Sequence, residues 1–90
     1  MTQRVLRFAV PLALPVVLPL PGSYRVAGVD HGAAGWVDLW VVAATDSAPV
    51  DREIAVSATG QVMPSSFVWL GTTPRSPATG MVWSVWEVHP

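Results

Sequence analysis

The sequence predicts an all-β fold: six to seven short strands packed as one small antiparallel sandwich or open barrel. Three observations carry this. Apolar and polar residues alternate with period two over several stretches, above all Gly35–Thr45 and Asp51–Thr59. Turn residues punctuate these stretches at roughly 8–12-residue spacing. No window shows apolar residues at i, i+3, i+4 and i+7 without a Pro or Gly inside it, so no helix is predicted.

The N-terminal 23 residues need two readings. Arg4 and Arg7 precede an apolar run, Phe8–Leu20, and imitate a signal peptide. That run has 13 residues, too few for a membrane-spanning helix, and Pro11, Pro15 and Pro19 each break a helix. No small-residue cleavage site precedes Ser23. Residues 1–23 are therefore expected to be a proline-rich extended part of the fold: strands Arg4–Val10 and Val16–Leu20, joined by a proline-bearing turn. Proline confines them to sheet edges or strand ends.

Tyr24–Asp30 reads as a strand with Tyr24, Val26 and Gly28 on one side and Arg25, Ala27 and Val29 on the other. Asp30-His31-Gly32 is a turn. In Gly35–Thr45, Val37, Leu39, Val41 and Ala43 form an apolar core-facing row; Trp36, Asp38, Trp40 and Val42 form the opposite one. In Asp51–Thr59, Arg52, Ile54, Val56 and Ala58 alternate with polar and small residues, as in a half-buried strand. Phe67–Thr72 is a short strand broken by Gly71, and Thr73–Gly80 is a loop. Met81–Val88 closes the chain. It is apolar on both faces: Val82, Trp86 and Val88 point one way, Met81, Trp83 and Val85 the other. Such a strand needs cover on both sides, and the chain's own core supplies one.

Composition points to association. Of 90 residues, 51% are hydrophobic and only 12% charged, about half the usual charged share of ~25%. A single domain of this size has little core relative to surface, so a second copy of the chain or a partner is the expected second cover. Net charge is −1 and the arginines are scattered, which argues against nucleic acid. Cysteine is absent, which excludes disulfides, thiolate zinc sites and a Cys nucleophile. Lys and Asn are also absent and Ile54 is the sole isoleucine. Codons for these residues are A/T-rich, so a high-GC source is expected, an actinobacterium or one of its phages.

No catalytic constellation assembles. His31 beside Asp30, and His89 two residues after Glu87, are expected as solvated turn and tail residues, since a metal needs three or four converging ligands. Asp38 between two tryptophans is expected to pair with an arginine or to sit at an interface rim. Ser65, Ser66 and Ser84 lack a nucleophile elbow, and Gly32 and Gly35 lack phosphate-loop spacing. The tryptophans carry the interaction signal: Trp40 and Trp86 are assigned to the core, and Trp36, Trp69, Met81, Trp83 and Val85 to an interface.

Thr59-Gly60 with Pro64, then Leu70-Gly71-Thr72, then Val82-Trp83-x-Val85-Trp86-Glu87 resemble, in order and spacing, a family of small bacteriophage proteins of unknown function. Leu20-Pro21-Gly22 and Trp40 extend the resemblance, which runs from about Val5 to Glu87. In that family a histidine commonly follows the Thr-Gly pair and another lies inside the Trp-x-Val-aromatic motif; here Gln61 and Ser84 stand there. A histidine-dependent site of the family would be missing from this chain. The resemblance implies a phage origin and an intracellular all-β protein, and no activity.

The expectation is thus a single all-β domain over residues 1–90. It is not an enzyme, takes no cofactor or metal, and sits in the cytoplasm of an infected bacterium. It is expected to self-associate and to bind a host or phage protein. Two alternatives stand beside this: sequestration of a nucleotide-like ligand between subunits by Arg25, Arg52 and Arg75, and a minor virion or assembly component.

Overall fold

A computed structural model describes residues 2–13 and 15–89. Met1, Leu14 and Pro90 lie outside them, so the turn expected between the first two strands is described only in part. Among the described residues seven strands form: β1 Gln3–Pro11, β2 Val16–Pro21, β3 Arg25–His31, β4 Trp36–Ala44, β5 Pro49–Ala58, β6 Val68–Thr72 and β7 Trp83–Glu87. They make a sandwich of two open sheets, not a barrel. One sheet has the order β1-β4-β3 and the other β2-β5-β7-β6. Every pairing is antiparallel.

The inner rows are those the alternation predicts. Val37, Leu39 and Val41 of β4 are fully buried, and Ala43 is buried beside them. They meet Val10 of β1, Leu20 of β2, Ile54 of β5 and Val85 of β7. Each such side chain contributes about 1.5–3 kcal/mol by leaving water. A bulge between Val26 and Gly28 adds a residue to β3, so Val29 turns inward on the same side as Val26, against the simple alternation.

β7 is shorter than predicted. Met81 and Val82 belong to the loop before it, because Thr73 brackets the strand's start: its N–H donates to the Trp83 carbonyl, and its Oγ1 accepts from the Trp83 N–H. The strand's register against β5 pairs Val85 with Val56 and Glu87 with Ile54, which turns Trp83, Val85 and Glu87 inward and Trp86 outward.

The edge strands β1, β3, β2 and β6 differ in protection. β3 and β6 each carry a bulge. In β2 the Gly22 N–H bonds the Ala48 carbonyl in register with the strand, so the even-numbered residues bond β5 and the odd ones face the open edge. Pro19 and Pro21 therefore stand where a missing N–H costs no ladder bond, as expected for prolines in an edge strand.

Candidate docking surface

The outer face of the β1-β4-β3 sheet carries Trp36 and Trp40, 44% and 38% exposed, on either side of Asp38. Trp40 is thus a surface residue and not the core residue the sequence reading makes it. Both faces of β4 are apolar enough to be buried, and the choice fell to the row that packs on the second sheet. Arg7 lies diagonally across from Asp38, with Nη1 3.8 Å from Oδ2, and its guanidinium is 5.9 Å from the Trp40 ring centre. Asp30 is directly opposite Asp38 on β3, so two carboxylates lie side by side on this face, and of the two only Asp38 pairs with Arg7.

Trp36 forms a ridge between two clefts. One, on the sheet face, is lined by Arg7, Ala9, Ala33, Trp36 and Asp38. The other opens at the end of the sandwich between the β3–β4 turn and the β6–β7 loop, where Leu12, Ala34, Trp36, Met81 and Trp83 form apolar walls and Ser76 and Thr79 supply hydroxyls. The turn is tight because Gly35 adopts φ +86°, a left-handed conformation that favours glycine. The loop is tied to β3 where the His31 ring Nε2 donates to the Pro74 carbonyl at 2.7 Å. His31 is therefore an engaged residue and not a solvated one.

Of the five residues assigned to an interface, Trp36, Met81 and Trp83 converge on this end cleft. Trp83 also packs on the core. Trp69 is 57% exposed on the outer face of the other sheet, opposite Trp86. Val85 is fully buried in the chain's own core and presents nothing to a partner. Trp86, assigned to the core, lies on the outer face, where its indole N–H donates to Ser57 Oγ at 2.8 Å. Ala55 and Ser57 on that same face of β5 are buried. The outer side of β7 is thus partly covered by its own chain.

The three arginines of the ligand reading separate. Arg25 is on β3, opposite Val42, in a cleft with Gln3 and Ser47. Arg75 lies in the β6–β7 loop against Gly80. Arg52 points inward from β5 and is consumed by a network the sequence reading missed. Glu87, buried in the inner row of β7, accepts from Tyr24 Oη at 2.9 Å and Arg52 Nη1 at 3.3 Å on one oxygen, and meets His89 Nε2 on the other. Arg52 also donates to the Gly22 carbonyl at 2.8 Å and lies 5.8 Å from the Tyr24 ring centre. Burial, then the hydrogen bond to Glu87 and its negative charge, push the Tyr24 phenol well above its usual value, against the pull of Arg52. His89 is accordingly a partner of Glu87 and not a free tail residue. A signal for this network was present: Arg52 and Glu87 each interrupt an otherwise apolar row, which calls for a buried counter-group.

This whole arrangement is carried by a sequence that matches one family along its full length. The chain belongs to the family described as Domain of unknown function (DUF7352), matched over residues 1–90. No curated protein and no solved structure matches it. Among the described residues, no group of three or more His, Asp or Glu side chains is placed to hold a metal ion. What the DUF7352 chain offers at its surface is apolar and aromatic area with a few charges, and the Trp36 ridge places an exposed tryptophan between two clefts.

Proposed function

We propose that this chain is a phage-encoded, non-catalytic interaction module that docks a host or phage protein across the Trp36 ridge and works as a homo-oligomer inside the infected bacterium. The observation that supports docking is the exposure of Trp36 between two clefts, with Met81 and Trp83 in one and Asp38 in the other. Exposed tryptophan flanked by pockets is the chemistry of interface hot spots. An extended partner segment fits this relief: an apolar side chain seated against Met81 and Trp83, and a basic one over Asp38, where Asp30 adds to the negative charge. The phage origin rests on the motif order described above and on the absence of Lys and Asn.

The test is affinity capture from host lysate with wild type, Trp36→Ala and, as a control on the other sheet, Trp69→Ala. A stoichiometric protein is expected with wild type and Trp69→Ala. Its affinity for Trp36→Ala should fall by roughly thirtyfold, the effect of losing one hot-spot side chain. Equal recovery by all three chains would remove the ridge as the docking site.

A further inference from the structure

The four edges of the two sheets are not equally protected, and one is open. β6 is 5 residues long and bulged. β3 is bulged. β2 is 6 residues long and turns Pro19 and Pro21 to the outside. β1 is 9 residues long, pairs with β4 without a register shift, and has its only proline at its last position. Long, flat, unblunted edges are the template for strand addition, and natural sheets normally avoid them.

The hydrogen bonds show which groups this edge offers. At one end the Thr45 N–H donates to the Thr2 carbonyl, and at the other the Leu12 N–H donates to the Gly35 carbonyl. Both pairs lie in the β1–β4 register, so even-numbered residues of β1 bond β4. The N–H and C=O groups of Gln3, Val5, Arg7 and Ala9 therefore point away from the sheet. The side chains agree: Val5 is 59% exposed, and the inner Leu6 and Phe8 are only partly buried, while Val10, nearer the middle of the core, is fully so.

We propose that β1 is a strand-addition edge whose occupant is a second copy of this chain. Two β1 strands pair antiparallel about a two-fold axis at Leu6 and join two three-stranded sheets into one continuous sheet. The register follows from the residues. An axis at Leu6 pairs Val5 with Arg7 and Gln3 with Ala9 of the second copy, so the outward groups of these four residues all find partners, roughly eight inter-chain hydrogen bonds. An axis at Arg7 sets two arginines directly opposite each other, and an axis at Phe8 sets Val5 against Pro11, which has no N–H. On the inner side, Leu6 meets Leu6 of the second copy and closes the part of the core that one chain leaves open. The mode gives physical form to the homo-oligomer proposed above; it shares Arg7 and Ala9 with the sheet-face cleft but uses neither Trp36 nor the end cleft, so Trp36→Ala and the Val5 substitutions separate the two readings.

Sedimentation equilibrium of wild type, Val5→Lys and Val5→Glu tests it. Val5 is exposed and its substitution leaves the core intact, which circular dichroism will show. Wild type is expected to be a dimer. Val5→Lys places two like-charge pairs across the seam and should weaken the dimer by roughly tenfold, while Val5→Glu, opposite Arg7, should tighten it. The chain has no cysteine, so a Leu6→Cys variant reads the register directly. Leu6 of the two copies forms a non-hydrogen-bonded pair with Cα atoms about 4.5 Å apart, within disulfide reach. Oxidation should give a covalent dimer from Leu6→Cys and not from Arg4→Cys. A monomeric wild type overturns the proposal, as does a dimer insensitive to both Val5 substitutions or one dissolved by Trp36→Ala instead.

Discussion

A carboxylate in the inner row of a sandwich strand must be met by donors, and Glu87 is met by Tyr24, Arg52 and His89. Removing a donor leaves a buried charge short of partners, which is costlier than the bond itself is stabilising. The phenol gives a clean experiment, because the chain has one tyrosine and no lysine. Its folded pKa lies above the unfolded value of 10.0. The stabilisation is therefore fully present below pH 10, and as pH rises past 10 the unfolded chain releases the Tyr24 proton first. The melting temperature should fall from about pH 10 upward. Tyrosinate absorbance should appear only as the chain unfolds, and Tyr24→Phe, though less stable at neutral pH, should flatten the alkaline slope. A free phenol titrating at pH 10 in the folded state would contradict the network. The presence of Arg52 and Glu87 in apolar rows was legible in the sequence. Their partner was not, since Tyr24 and Glu87 are 63 residues apart and nothing local couples them.

At the scale of the elements, β6 and β3 pack tightly against each other across the two sheets. A Cβ on Gly71 would stand 2.7 Å from Cγ2 of Val29. Gly71 thus serves proximity, not an unusual backbone angle. Gly71→Ala should destabilise the fold by roughly 1–3 kcal/mol, the usual cost of overpacking. Chemical denaturation of Gly71→Ala and of Gly71→Ala with Val29→Ala checks this, since trimming Val29 should restore part of the loss. No recovery would place the strain elsewhere. The strands themselves were legible because period-two alternation and turn residues are local signals. The bulges in β3 and β6 were not, since an inserted residue is defined only by what lies opposite it on the neighbouring strand.

The whole molecule is a small sandwich whose core is limited by its size. Association through β1 would add stability by mass action. The melting temperature of wild type should therefore rise with protein concentration, and that of Val5→Lys should respond less. A calorimetric series over a wide concentration range measures both, and a wild-type value independent of concentration would argue for a monomer. The end cleft of Trp36, Met81 and Trp83 shares no residue with the β1 seam and stays open in such a dimer for a different partner.

The sequence by itself determined the all-β class, the approximate bounds of all seven strands, the buried row of β4 and the placement of proline-bearing segments at edges. These follow from spacing and backbone chemistry within a few residues. Only the tertiary structure decided that Trp40 and Trp86 face outward while Trp83 and Val85 face inward, and that Arg52 is spent on Glu87 and not on a ligand. Alternation assigns residues to two faces, but which face is buried depends on the sheet that packs against it. That sheet is assembled from strands distant in the chain.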